Sequence, residues 1–382
     1  MQRSHITTTV TTGTLSDAYV IITTTVNIPF MKIYFYHTRL TKESYIEWKE
    51  HKFPGHLLYG LPLFEKYAIQ SIMHKYKHHA NRIKLMLYVT KEILFCKEKY
   101  DALYGTSFRG IELIIFLRAL GLYRKSIIIW HHTAVTKATN PMREIIARFF
   151  YKGIDKMFFF SQKLINDSLK SNKVPASKLK LVHWGPDLPF YDQIIKDTET
   201  FNNQRTGFIS TGKENRDIRT LRKAFNKSNQ KLDIYIAESC GNLNYKTIIE
   251  NIPVSPSIQI YYKEGVIPYE LAKIVATKSC IVIPCLEHPY TVGLTTLVEA
   301  LALGMPIICS RNPNFEIDID KEKIGITVEY GDIQGWEKAI RYIAEHPEEA
   351  KQMGERARKL AENHFNLNIF AHEIAETLLE FK

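Results

Sequence analysis

Cysteine is scarce in this chain: five of 382 residues, Cys96, Cys240, Cys280, Cys285 and Cys309. An odd count scattered this widely fits reduced thiols better than a disulfide framework. Cys280 and Cys285 form one C-x4-C pair, without the second pair or His-x3-His that a zinc site needs. No apolar run reaches 18 residues, so no spanning helix is expected. Acidic residues are short in one half only. Residues 1–200 carry 16 Asp+Glu against 29 Lys+Arg, whereas residues 201–382 carry 24 against 22. The two halves therefore face different partners. The absence of G-x-S-x-G, Walker A and H-E-x-x-H patterns weakens hydrolase, P-loop ATPase and zinc-protease readings. No nucleic-acid motif accompanies the basic charge, so no nucleic-acid partner is expected.

What is present is a folding composition: 45% hydrophobic, 24% charged and 12% aromatic residues. The length corresponds to two or three domains of about 100–200 residues each. Residues 1–30 contain nine threonines and lack the basic start, apolar run and cleavage site of a signal peptide. They read as an upstream extension before a natural start at Met31, or else as an added β-rich arm. From Met31 short apolar strands alternate with longer helical stretches, the mark of an α/β fold with parallel sheets. The polar segment at 186–203, bounded in the domain scheme as 191–204, reads as a linker. The strand–helix pattern then restarts. The expected organisation is an N-terminal domain at 31–190, a C-terminal domain at 205–364 and a terminal helix at 365–382. In that helix Leu367, Phe370, Ala371, Ile374, Leu378 and Phe381 share one face that must dock on a domain. Two consecutive Rossmann-like halves imply a cleft between them. Ligands of such sheets bind beyond the carboxyl ends of the strands.

The richest stretch runs from Gly293-Leu-Thr-Thr through Glu299 to Gly304 and Pro306. A strand ending at Pro284 leads through a loop to a helix starting near Thr295. Unpaired amides and the dipole at a helix start favour a phosphate, and Thr295 and Thr296 add hydroxyls. Glu299 follows about 6 Å along the axis at about 1.5 Å per residue, in reach of a diol such as a ribose. A capped helix with an exposed glutamate is the alternative.

This stretch resembles the C-terminal signature of retaining glycosyltransferases of family 4, which have the GT-B architecture. The segments around Gly207–Asp217, Val275–Pro284, Gly331-Asp332 and, in the first half, Lys180–Phe190 resemble the same family in order. The resemblance implies an α/β GT-B fold, two Rossmann-like domains facing across a cleft with the C-terminal helix docking back. It implies transfer of a sugar from a nucleotide-sugar to a glycan or lipid-linked acceptor with retention of configuration, in cell-surface polysaccharide synthesis. Glu299 matches the family's ribose-binding glutamate. The family's preceding glutamate falls at Thr291, so Thr291 or the upstream Glu287 is left to meet the donor sugar. Gly293, Leu294, Thr295 and Thr296 are expected at the nucleotide and its phosphates. Lys213 matches a family arginine there, and Arg216 also follows a strand. Arginine binds two phosphate oxygens and lysine acts as a point charge. No metal and no cofactor are expected, the nucleotide-sugar being a co-substrate.

On the other wall, His131 and His132 follow the strand ending at Trp130 and are the catalytic candidates, able to bond a sugar hydroxyl or move a proton. Gly55, His56 and Arg109 are acceptor candidates, and the loop His37-Thr-Arg39 is a weaker one. The cations between Lys66 and Lys99 alternate with aromatic and apolar residues. They suggest a peripheral contact with an anionic membrane at the inner, cytoplasmic face. The competing functions are a nucleotide-sugar epimerase of similar architecture and a non-enzymatic basic adaptor.

Overall fold

The computed structural model describes residues 30–199, 205–212, 214–253, 255–262 and 268–382. The leading segment through residue 29, the linker positions 200–204 and the phosphate candidate Lys213 lie outside the described residues.

The first domain is a six-stranded parallel sheet of Met31–Tyr36 (β1), Ile69–Met73 (β2), Ala102–Gly105 (β3), Ser126–Trp130 (β4), Lys156–Phe159 (β5) and Leu179–Leu181 (β6), ordered β2-β1-β3-β4-β5-β6. Its helices are Thr41–Lys49 (α1), Arg82–Leu94 (α2), Glu112–Ala119 (α3), Pro141–Lys152 (α4) and Gln162–Leu169 (α5). Asn81 and Asn140 cap the starts of α2 and α4 by accepting from backbone amides, and Pro141 takes the first helical position of α4. The apolar spacing of 57–67 reads as a helix broken by Pro62 near its start; the stretch forms two short 3-10 helices, Gly55–Leu58 and Leu61–Tyr67, separated by left-handed Tyr59 and Gly60.

Leu188–Glu199 is a helix (α6), where a polar linker was expected. Phe190, Tyr191 and Ile194 are buried along it, and that apolar spacing outweighs the acids beside it. The second sheet contains Phe208–Thr211 (β7), Leu232–Ile236 (β8), Ile258–Tyr262 (β11), Cys280–Ile283 (β12), Ile307–Ser310 (β13) and Gly325–Val328 (β14), ordered β11-β8-β7-β12-β13-β14. Ser239–Cys240 (β9) and Leu243–Asn244 (β10) form a small antiparallel hairpin. The helices are Ile218–Ser228 (α7), Tyr245–Glu250 (α8), Pro268–Ala276 (α9), Leu294–Ala302 (α10), Ile333–Glu345 (α11), Pro347–Asn363 (α12) and Leu367–Leu379 (α13).

Each strand splits its residues between two layers. In the first sheet Tyr34, Leu103, Ile127 and Ile129 face one core, and Ile33, Phe35, Ile128 and Trp130 face the other. That second core continues through α6 and α10 to the inner face of the second sheet, so apolar packing joins the domains. The terminal helix docks back, as expected. Leu367 donates its amide to the Pro186 carbonyl (2.8 Å), and Phe370 lies 5.7 Å from the Trp130 ring, centroid to centroid. His183 meets Glu373 at 2.6 Å.

The strand orders locate the functional edge. The first sheet reverses direction between β1 and β3, the second between β7 and β12. Loops leaving those strands open a crevice at the carboxyl edge, where α/β sheets bind ligands. Residues 37–39 follow β1, 212–217 follow β7, and 284–293 follow β12.

Candidate active site

A cavity of about 480 Å³ lies between the domains, in the range of small-ligand sites. Its C-terminal wall includes Thr211, Gly212, Glu214, Arg216, Thr291, Gly293, Leu294, Thr295, Thr296 and Glu299. Gly293 caps α10 in the left-handed region (φ 94°), where a Cβ would stand 2.7 Å from Ile283. The cap brings no side-chain acceptor. The Leu294 amide bonds the Thr291 carbonyl, while the next amides, of Thr295 and Thr296, lack the helical partners available farther along.

Arg216 is 6% exposed and lies beneath this helix start. Its guanidinium donates to the Thr211 carbonyl (3.1 Å), the Glu214 carbonyl (3.0 Å) and the Thr296 hydroxyl (3.2 Å). All three partners are neutral, and no carboxylate pairs with Arg216 among the described residues. Three of five N–H groups are used, leaving two for a ligand. Gly212 permits this approach: its φ is +111°, and a Cβ there would lie 2.2 Å from the guanidinium. A buried cation without a counter-ion, beside a helix N-terminus, is an anion site.

Glu299 lies half-buried on the same wall. Burial disfavours its charged form and pushes the carboxyl up to about 7. Tyr191 of α6 is near enough to feel that charge.

The N-terminal wall includes Arg39, His56, Tyr59, His132, Phe160 and Trp184. His132 Nε2 lies 2.8 Å from the Thr106 carbonyl. A carbonyl only accepts, so Nε2 carries the proton and Nδ1 keeps the lone pair. Burial lowers the pKa of His132, against the Thr106 carbonyl and Glu214, which raise it. The ring is a neutral hydrogen-bond acceptor. The walls touch where Thr133 bridges Tyr290, whose hydroxyl accepts from Asn215 Nδ2 (2.6 Å).

Residues 194–360 match the family model described as glycosyl transferases group 1. The chain carries a glycosyl transferases group 1 domain. It is a glycosyltransferase, and its fold is GT-B. No curated protein matches it by sequence. In fold it is similar to HepE of Anabaena, solved with UDP-glucose (TM-score 0.64, 13% identity, 92% of this chain and 100% of that one). A glycosyltransferase of Rickettsia africae gives a TM-score of 0.63 at 16% identity over the same shares. Sucrose-phosphate synthase of Thermosynechococcus elongatus gives 0.64 at 14% identity over 82% of this chain and 83% of that one.

Of the glycosyltransferase's expected site residues, the cavity gathers Arg216, Thr291, Gly293 to Thr296, Glu299, His56 and His132. Four others lie elsewhere. His131, expected to be catalytic, is turned into the first domain. Its Nδ1 bonds the Thr133 carbonyl (2.5 Å), and its Nε2 meets the Tyr151 hydroxyl (3.0 Å). Glu287 is exposed and stands near Tyr330, outside the cavity lining. Gly55 is a tether: its amide donates to Asp187 (2.8 Å), which also accepts from Trp48 Nε1 (2.9 Å). Burial raises the Asp187 pKa, while these donors oppose the rise. Arg109 lines a separate cavity.

Residues missed by the sequence reading include Trp184, Tyr191, Glu214 and Tyr290. Trp184 and Glu214 lie within the family-like segments Lys180–Phe190 and Gly207–Asp217, while Tyr290 lies in the loop between Glu287 and Gly293. Tyr191 was masked by the linker reading. Among the described residues no group of three His, Cys, Asp or Glu side chains is placed to hold a metal.

Proposed function

We propose that this enzyme moves a sugar from a nucleotide-sugar to a hydroxyl of a glycan or lipid-linked acceptor with retention of configuration, as a family 4 enzyme in cell-surface polysaccharide synthesis. The observation that carries the reading is the pairing of an anion site with a carboxyl group one helical turn away. Arg216 and the α10 start meet the diphosphate, and Glu299 accepts hydrogen bonds from the ribose diol. Thr291 stands where the donor sugar would leave the phosphates. The solved structure of HepE with UDP-glucose supports a donor of this class, at the level of a shared fold. Lys213 belongs to the same phosphate group in this reading.

The bond from the sugar's anomeric carbon to the phosphate oxygen breaks, and the electron pair leaves with the nucleotide diphosphate. Arg216 and the helix dipole stabilise that charge as it develops. The acceptor oxygen forms its bond on the same face, and its proton passes to the departing phosphate oxygen. The neutral His132 accepts a hydrogen bond from a sugar hydroxyl and orients it. No metal and no cofactor have a part in this reading.

The first domain supports a peripheral membrane position on the cytoplasmic side. Met142, Ile145 and Ile146 are exposed on one side of α4 among Arg143 and Arg148, and Ile83, Leu87 and Phe95 are exposed on or beside α2. Apolar side chains flanked by cations suit an anionic lipid surface. Among the described residues, no helix is long and apolar enough to cross a membrane.

Thermal stabilisation by a panel of nucleotide-sugars tests the donor, because a ligand that binds the folded state raises its melting temperature. One donor should protect the wild type and not Glu299→Ala. Equal protection of both proteins would refute the donor site. NMR of the product's anomeric configuration tests retention, and flotation with anionic vesicles tests the membrane contact.

A further inference from the structure

A second cavity, of about 250 Å³, opens in the first domain beside the main cleft. Two strand ends build it. Thr38 follows β1, and the segment from His74 to His79 follows β2. It is therefore at the ligand-binding edge of the sheet. Lys77 and Arg109 line it with the imidazoles of His74, His78 and His79, and its lining contains no Asp or Glu. The nearby Glu112 is engaged by Arg82 (2.8 Å) and the Gly110 amide (2.6 Å). Burial and then the Glu112 charge raise the pKa of the Tyr36 hydroxyl, and Arg109 opposes them, so the Arg109 charge also reaches this wall of the cavity.

Two further observations point to a ligand. His79 Nε2 is buried without a hydrogen-bond partner. The wall toward the main cleft is thin, since His37 lines this cavity while its ring faces Tyr59 of the main cavity at 5.6 Å. The volume is below the roughly 300–1,000 Å³ of pockets that enclose a whole small ligand. It suits one group of a molecule whose remainder extends into the cleft. The donor's phosphates have their own site at Arg216 on the opposite wall.

We propose that this cavity binds a phosphate group carried by the acceptor. The inference rests on the glycosyl-transfer reading for the acceptor's identity, but not for the anion site itself. Several N–H donors and two cations around one small space match the oxygens of a phosphate. The group could belong to a lipid-linked diphosphate or to a phosphorylated sugar.

The test is calorimetric titration of the full chain with inorganic pyrophosphate after saturation with UDP. Pyrophosphate should still bind. Its affinity should fall more than about tenfold in the Lys77→Ala/Arg109→Ala double variant, the loss of charged hydrogen bonds, and remain unchanged in Arg216→Ala. Both substituted side chains are exposed, so an unchanged melting temperature checks the fold. Complete displacement of pyrophosphate by UDP, or undiminished binding in the double variant, overturns the site. Failure of UDP to bind refutes uridine as the donor's base instead and leaves the double-variant comparison readable. Competition by a short prenyl diphosphate and by a hexose 6-phosphate separates the sources, whichever binds more tightly than pyrophosphate being the match. If neither exceeds the bare anion, the acceptor assignment falls.

Discussion

The two walls of the cleft are made differently. The C-terminal wall uses backbone and one buried cation: the start of α10, the left-handed Gly293 and Gly212, and Arg216 held by two carbonyls and a hydroxyl. The N-terminal wall is mainly side chains, including His56, Tyr59, His132, Phe160 and Trp184. Backbone amides and a fixed guanidinium suit a group common to many donors, the diphosphate. Aromatic and imidazole side chains can be exchanged without disturbing a strand, which suits a wall that distinguishes acceptors.

The largest expected effect breaks the C-terminal wall. Arg216→Ala should lower kcat/KM by about 10²–10³-fold, the usual consequence of removing one preorganised charge-stabilising donor. Arg216→Lys should recover part of the loss, because charge returns but the bonds to Thr211, Glu214 and Thr296 cannot all re-form. Steady-state kinetics with the identified donor checks both variants. Wild-type kcat/KM in Arg216→Ala would remove the cation from the reaction.

The next comparison lies between adjacent residues. His132→Ala should cost about 10²-fold in kcat/KM, a typical contribution for a positioned polar group at the reacting centre. His131→Ala should leave nucleotide affinity and kcat/KM of the folded protein unchanged while costing about 2 kcal/mol of stability through lost packing and two hydrogen bonds. Kinetics and denaturant melts together separate the two. Equal kinetic losses would contradict the placement of His131.

This pair also marks how far the sequence can be read. Alternation sends neighbouring side chains of extended backbone to opposite sides, but the sequence does not say which histidine faces the cleft. The C-terminal wall was legible because its residues lie in two short stretches, each directly after a strand, with glycines marking the turns. The N-terminal wall draws on residues 39, 56–59, 132, 160 and 184, which no local spacing connects. Helix α6 carried a readable signal in Phe190, Tyr191 and Ile194, but the surrounding acids and Pro189 obscured it. The edge strand β2 was missed because Ile69-Gln-Ser-Ile-Met is short and follows a segment with helical spacing.

A smaller effect sharpens the C-terminal wall by pH. Glu299 ionises near 7 in the free enzyme. If ribose hydroxyls donate to the carboxylate, binding favours the ionised form and lowers that pKa. Donor affinity should then rise with pH, by up to about tenfold between pH 6 and pH 8. Glu299→Gln should bind more weakly than wild type at pH 8 and show a flat profile. A nucleotide-sugar is the right probe, because its diphosphate is esterified at both ends and does not titrate in this window. The same slope in wild type and Glu299→Gln would assign the pH dependence to another group.

The smallest effect concerns the element that belongs to one wall by sequence and to the other by position. Helix α13 follows the second domain but lies on the first, with His183 paired to Glu373. The hydrogen bond and charge of Glu373 raise the His183 pKa above its ordinary 6.5, burial acting in the opposite direction. A raised folded-state value means that this stabilisation is fully present below the unfolded pKa and is lost as pH rises through the folded one. The pair is partly exposed, so solvent screening holds its contribution below about 1 kcal/mol, on the order of 2 °C in melting temperature. Wild type should therefore lose slightly more stability between pH 6 and pH 8 than Glu373→Gln, in which that raised pKa returns toward 6.5. Parallel melting curves across this window would show that apolar contacts such as Leu367 and Phe370 hold α13 without help from the ion pair.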